Sequence, residues 1–338
     1  MKWKNIMMMV MMAAGCWFSL PVHSQRISVG KKGLVKVMRT DSTCAQEFVR
    51  DEHQSVATRK TAKAAGAAEG VNTLASYLKS DVDLNIPVSK VKQEKTFAVI
   101  IANENYEEEV NVEFALNDGV AFSQYCTKTL GIPQENVHVR QDATLNNILA
   151  EISWMQNIAK AYGDEARFIF YYAGHGVPDE SNGTAYLLPV DGKSSILATG
   201  YSIGKLYDQL HALGSQNVTV VMDACFSGSK RGEGMLASAR GVAIKSKAEA
   251  PKGNMLVISA AQGNETAYPY REKRHGLFTY FLLKKLQESK GNTTFGELFD
   301  YVRTQVAQKS IVVNEKSQTP SVNASGELTS TWKQSKLF

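Results

Sequence analysis

The sequence predicts an α/β fold, with a mostly parallel sheet covered by helices on both faces. Three observations carry this expectation. Continuous apolar runs of strand length recur from residue 96 onward, the pattern of strands buried on both faces. Stretches with helical periodicity and end signals separate these runs. The regular alternation of the two is the signature of a parallel sheet with helical crossovers.

The first 24 residues stand apart from this pattern. Lys2 and Lys4 precede an uncharged apolar run from Ile6 to Leu20, and Val22 and Ser24 are small residues before Gln25. This reads as a secretory signal peptide cut before Gln25. A rival cut lies at "AAGC" (13–16), where Cys16 would carry a lipid. Residues 25–94 form an N-terminal extension or pro-segment. In it, "RISVGKKGLVKVMRT" suggests a short strand or hairpin, "VATRKTAKAAGAAEGVNTLASYLKS" has helical propensity, and Pro87 with "SKVKQEK" resembles a linker.

The pattern sharpens at Thr96. "TFAVIIA" (96–102) is the first buried strand. A helix follows, capped by Asn117 or Asp118, with Phe122, Cys126 and Leu130 on one face and Gly131 and Pro133 at its end. "NVHVR" (136–140) is a strand. Thr144 caps the next helix, whose apolar face holds Ile148, Ile152, Met155 and Ala159 and which Gly163 terminates. "RFIFYYA" (167–173) is a strand, "SIGKLYDQLHALG" (202–214) a helix, "NVTVVMD" (217–223) a strand and "NMLVISA" (254–260) another. One late helix begins near His275. The second is "TFGELFDYVRTQVAQ", opened by a Thr294–Glu297 capping box. The α/β domain is expected over 95–310, with 311–338 as a C-terminal tail.

Ligands of parallel sheets bind at the carboxyl ends of the strands. Two such ends hold reactive side chains. His175 stands between Gly174 and Gly176 after the third strand, and Cys225 ends the fourth. An imidazole beside a thiol can take its proton and later protonate a leaving amine. Glycines beside the histidine let backbone N–H groups approach an oxyanion. An exported chain left with three cysteines (Cys44, Cys126 and Cys225) also raises a Cys44–Cys126 disulfide with Cys225 free.

"FIFYYAGHG" followed by "VVMDACFSG" resembles the caspase–metacaspase family of cysteine peptidases. "DACFSG" is similar to the Asp-x-Cys-x-Ser-Gly form of metacaspases and bacterial caspase-like proteins. "ALNDGVAF" (115–122), "YLLPVDG" (186–192), "VISAAQGNETAY" (257–268) and "HGLFTYFLL" (275–283) extend the match in the family's order, from about Thr96 to Lys309. The resemblance implies a caspase-like three-layer sandwich with a six-stranded sheet. It implies Cys225 as nucleophile, His175 as general base and acid, and the N–H groups of Gly176 and Cys225 as the oxyanion hole, with no third catalytic side chain. Asp118 and Asp223 match the acids that line the primary specificity pocket of metacaspases, which favours Arg or Lys before the scissile bond. Many metacaspases bind calcium through an acid pair after "LLPVD"; here Asp191 is present but the pair reads Tyr201, Ser202, Ile203. No calcium requirement, metal or cofactor is therefore expected.

The 229–253 stretch contains Lys230, Arg231, Arg240, Lys245, Lys247 and Lys252. It reads as an exposed, proteolysis-prone loop, placed where caspases are cleaved between subunits. An enzyme cutting after basic residues could cut itself there. The formal net charge of +5 is spread along the chain, which argues against a nucleic-acid stripe or a membrane-surface helix, and no second apolar run is long enough to span a bilayer. The expected protein is an exported cysteine endopeptidase acting on peptides or proteins with Arg or Lys at the cleavage site. It would be periplasmic or secreted, with lipid anchoring through Cys16 as the alternative. A catalytically weak interaction or scaffold module, and a transpeptidase using the same dyad, are the rival readings.

Overall fold

The computed structural model describes residues 79–179, 181–226, 250–263, 265–326 and 328–337, together with two short strands, Ile27–Val29 and Val35–Val37. Those two strands pair antiparallel as a hairpin of their own, as "RISVGKKGLVKVMRT" suggests. The signal peptide, the Ala-rich stretch up to residue 78, Cys16, Cys44, and residues 227–249 of the basic loop lie outside the described residues.

Six strands form the main sheet: β1 (Thr96–Ala102), β2 (Val137–Gln141), β3 (Arg167–Pro178), β4 (Asn217–Cys225), β5 (Met255–Ser259) and β6 (Ser321–Ala324). Their order across the sheet is β6-β5-β4-β3-β1-β2, and every pairing is parallel except the edge pair β5–β6. Among the described residues, five α-helices accompany them: α1 (Ala115–Gln124), α2 (Leu145–Tyr162), α3 (Ile203–His211), α4 (Leu277–Ser289) and α5 (Phe295–Asn314). The central strands are apolar at consecutive positions because successive side chains feed two separate cores. Ile100, Ile169, Tyr171, Val221 and Ile258 pack with Phe122 of α1, Phe278 and Leu282 of α4, and Leu298 and Val302 of α5. Their neighbours Val99, Phe168, Phe170, Val220 and Val257 pack on the other face against α2 and α3. The three-layer sandwich is thus written as period-2 alternation between two cores.

Local signals explain most element ends. Thr144 caps α2 by accepting the Asn147 N–H, and Gly163 ends it with a positive φ of 60°. Thr294 and Glu297 form the expected reciprocal box on α5. The start of α1 differs from expectation. Its N-cap is Phe114 in a left-handed conformation, and neither Asn117 nor Asp118 caps it. The Leu116 N–H instead reaches the Glu104 carboxylate at 3.0 Å, which leaves Asp118 to serve elsewhere. Helix α4 also starts two residues later than expected, because His275–Gly276 pairs with Pro269–Tyr270 as a short hairpin. Cys126 is a free thiol buried in the core, and burial pushes its pKa up.

Two expected boundaries are corrected. Residues 311–338 are not a loose tail: α5 runs on to Asn314, Ser321–Ala324 covers the edge of β5, and Trp332 packs edge-on against Phe299 at 5.9 Å. "SVNA" carries no apolar run that would mark it as a strand, since one of its faces looks away from the core. Residues 79–94 are likewise part of the domain. Val82 is fully buried, and the Tyr125 hydroxyl donates to its carbonyl at 2.8 Å. Among the described residues, no helix is long and apolar enough to cross a membrane.

A chain ending at residue 310 should therefore lose cooperative thermal unfolding, because it bares the β5 edge and empties the Trp332 site. Trp332→Ala in the full chain should lower stability by about 3 kcal/mol. Circular dichroism melts and urea titrations check both; an unchanged melt of the truncated chain would contradict the docking of this segment.

Candidate active site

His175 lies inside its strand, not after it, and Cys225 is the last residue of its own. β3 extends five residues past Ala173 because Ala185–Leu187 pairs antiparallel with Gly176–Pro178. β4 extends through Cys225. In the parallel pairing of these two strands, His175 is the register partner of Cys225. Parallel register sets matched residues side by side, so the imidazole and the thiol stand on neighbouring central strands at the carboxyl end of the sheet.

The histidine is held from three sides. Its backbone N–H donates to the Tyr106 hydroxyl at 2.8 Å. The Tyr172 hydroxyl lies between the carbonyls of His175 and Leu188, at 2.8 and 2.9 Å. Burial pushes both phenol pKa values well up, so both hydroxyls stay neutral donors. The ring itself packs against Tyr106 with centroids 4.7 Å apart, and its Nε2 lies 2.6 Å from the Val110 carbonyl. A carbonyl only accepts, so Nε2 carries the proton and Nδ1 is the nitrogen able to take one. The third member of the arrangement is therefore a backbone oxygen.

The glycines flanking His175 are required by contact. At Gly174 (φ 158°) a Cβ would lie 2.7 Å from the Tyr106 hydroxyl and 2.8 Å from that of Tyr172. At Gly176 it would lie 2.3 Å from the Phe226 ring and 2.5 Å from the Cys225 carbonyl. The chain after the histidine and the chain after the cysteine thus touch, which brings together the two segments expected to supply oxyanion N–H groups. The Cys225 sulfur accepts the Ala267 N–H at 2.8 Å and donates to the Ala267 carbonyl at 3.4 Å. This fastens it to the loop between β5 and the short hairpin. Both Cys225 and His175 are buried.

A domain of this architecture, with a His–Cys pair matched across two parallel strands, has a family. The model of the Peptidase C14 caspase domain matches residues 95–329. The chain belongs to the caspase-domain family. No curated protein sequence matches it. Among solved structures, a Geobacter sulfurreducens protein from a structural genomics programme is 19% identical, with a TM-score of 0.52 over 71% of this chain and 97% of that one. Caspase-1 from Spodoptera frugiperda is 17% identical, with a TM-score of 0.48 over 71% of this chain and 90% of its own. At this identity the first of these speaks to the fold alone.

The two expected specificity acids of this caspase domain are fully buried and meet at one place, the start of α4. The Asp118 carboxylate accepts the Gly276 N–H at 2.9 Å and lies 2.8 Å from Nδ1 of His275. The Asp223 carboxylate accepts the Thr279 hydroxyl at 2.7 Å and its N–H at 3.3 Å. Because that hydroxyl donates to Asp223, the Tyr171 hydroxyl, 2.8 Å away, donates to Thr279. Backbone N–H groups at a helix N-terminus favour negative charge, which suits two carboxylates at this point. Asp191 accepts the Leu145 N–H at 3.0 Å at the start of α2. Ser202 Oγ caps α3 through the Lys205 N–H. Of the basic-loop residues, Lys252 is described, and its ammonium pairs with Asp208.

Sequence reasoning placed His175, Cys225, Gly176, Asp118 and Asp223 but missed Tyr106, Tyr172, the Val110 carbonyl, Ala267, Thr279 and His275. The last two stood inside the quoted "HGLFTYFLL" without a role. The Val110 oxygen had no signal at all, because every residue type supplies a carbonyl.

Two outcomes are expected from this geometry. Gly176→Ala should displace Phe226 and the Cys225 backbone, changing the rate of Cys225 alkylation by iodoacetamide at least tenfold while the fold persists by circular dichroism. His275 supplies a pH dependence. Burial alone would lower its pKa, but the hydrogen bonds and charges of Asp118 and Asp83 override this and raise it to about 9. A raised His pKa stabilises the fold fully below about 6.5 and loses that contribution as pH rises through about 9. The melting temperature should fall from pH 6.5 to 10 more steeply in the native chain than in His275→Gln; parallel pH profiles would contradict the pairing.

Proposed function

We propose that the chain is an exported cysteine endopeptidase that cleaves after Arg or Lys through a His175–Cys225 dyad. The observation that supports this most directly is the register of the two residues across β3 and β4, with His175 oriented by the Val110 carbonyl. In this reading the Cys225 thiol passes its proton to Nδ1 of His175, and the sulfur attacks the scissile carbonyl. The N–H groups of Gly176 and Cys225 receive the resulting oxyanion. Collapse expels the amine, protonated by His175, and leaves an acyl-thioester. Water activated by His175 then releases the acid and restores the thiol.

Asp118 and Asp223 would read the basic side chain by charge-assisted hydrogen bonds. Their convergence on the start of α4 supports a shared role, and the engagement of each with backbone and side-chain donors gives them fixed positions. The burial of both dyad side chains and the tether of the sulfur to Ala267 favour a latent form that opens on activation, with the 229–253 loop as the self-cleavage site. The secretory-signal character of the N-terminal 24 residues supports export, and the substrates would then be periplasmic or extracellular proteins. Asp191 serves as a helix-end acceptor, and this supports activity without calcium.

One assay tests the reading. Purified mature protein is given fluorogenic peptides with Arg, Lys or Asp before the reporter, with and without EGTA, beside Cys225→Ala and His175→Ala. Turnover of the Arg and Lys peptides alone is expected, unchanged by EGTA and reduced at least a thousandfold in both variants. The native chain should split within 229–253 while Cys225→Ala stays whole. Equal signals from the native protein and Cys225→Ala would point to a scaffold module. Product joined to an added amine in preference to water would point to a transpeptidase.

A further inference from the structure

The short turn at Asp81–Asp83 is fastened to the domain more firmly than a linker requires. Val82 is fully buried. The Asp81 carboxylate meets Lys284 at 2.9 Å and Lys273 at 3.1 Å, and Gln287 donates to the carbonyls of Asp81 and Leu84 at 3.0 and 2.8 Å. Contacts with the two lysines outweigh partial burial and lower the Asp81 pKa to about 2, so this anchor keeps its charge at any physiological pH.

The purpose of this anchoring is visible one residue beyond Val82. Asp83 directs one carboxylate oxygen to the Ser80 N–H at 3.1 Å and the other to Nε2 of His275 at 3.2 Å. The opposite ring nitrogen of His275, Nδ1, faces Asp118 at 2.8 Å. Ionised carboxylates only accept, so both ring nitrogens carry protons and His275 is an imidazolium. Asp118 and His275 alone would form a neutral pair. Asp83 adds the second carboxylate, and the Asp83–His275–Asp118 row carries a net charge of about −1 by this count of ionised groups.

We propose that Asp83, brought by the N-terminal segment, is a specificity-setting residue that restores to the Asp118 side of the pocket the negative charge His275 would otherwise cancel. The inference rests on the reading of Asp118 and Asp223 as the acids that receive Arg or Lys. Asp83 is a positioning residue: it acts on the substrate through His275 and Asp118. Lys273 and Lys284, the other cations of this cluster, face two carboxylates, Asp81 between them and Glu288 at 4.0 Å from Lys284, so the charge Asp83 contributes is not absorbed by them. The segment before residue 95 is thus a working part of the recognition site.

The test compares two fluorogenic peptides that differ only in Arg or citrulline before the scissile bond; citrulline has nearly the same shape without the charge. The full mature chain is used throughout. Asp83→Asn should raise KM for the Arg peptide about tenfold, leave kcat within about twofold, and shift the citrulline peptide less than twofold. Asp83→Glu should recover most of the loss. His275→Gln removes the cation while keeping an N–H donor, so its KM for the Arg peptide should fall below the native value. A merely structural role predicts equal losses on both peptides in Asp83→Asn and a rise in His275→Gln, and either result overturns the proposal. So does Asp83→Asn that binds the Arg peptide like the native chain while Asp118→Asn does not. If Asp118→Asn and Asp223→Asn both leave the Arg preference intact, the basic-pocket reading itself fails and the inference falls with it. Melting curves of each variant separate lost folding from lost recognition, and a variant that unfolds is replaced in the comparison by His275→Gln.

Discussion

The parallel pairing of β3 with β4 is the constraint on which the rest of this structure depends. It puts His175 opposite Cys225, and a slip of one residue would turn one of the two side chains to the other face of the sheet. The surroundings act to prevent such a slip. Below the site, alternate residues of both strands are committed to two different cores, so any shift exchanges the contents of both. Above it, the antiparallel strand at Ala185–Leu187 and the hydroxyls of Tyr106 and Tyr172 occupy the His175 backbone groups.

The two faces of the sheet serve the site differently. The α2–α3 face carries Tyr172 and, with Asn103, ties the backbone around His175: the Asn103 amide reaches the carbonyls of Ala143 and Leu188 at 3.3 and 3.2 Å. The α1–α4–α5 face carries the charged groups. Asp118, Asp223, His275 and Thr279 are all buried there, and the start of α4 supplies the N–H donors that make such burial tolerable. His175 and Cys225 lie on this same face as the acids, while the opposite face fixes the backbone that carries them, and residues 79–84 add their acids to the charged side alone.

Burial of these polar groups explains why they are so closely partnered. An isolated carboxylate inside a protein costs several kcal/mol, and each acid here accepts at least two hydrogen bonds. Their positions are consequently stiff. In the proposed reading, a basic side chain reaching these acids would meet acceptors already oriented, which favours selectivity over adaptability.

The sequence by itself determined the layer architecture, the order of strands and helices up to residue 310, and the candidate dyad with its glycines and two acids. Most of these features are local: a continuous apolar run, a capping residue or a Gly-flanked histidine is written in neighbouring positions, while the two acids were identified through the resemblance to metacaspases. Tertiary structure alone decided the rest. Val110 acts through a carbonyl that has no residue signature. Tyr106 reaches the His175 backbone from 69 residues away in the chain. The edge strand Ser321–Ala324 owes its conformation to pairing with β5, its own composition being indifferent. His275 became a cation because folding set it between carboxylates 157 and 192 residues away in the chain, and the charge of a buried group depends on such distant neighbours more than on its own type.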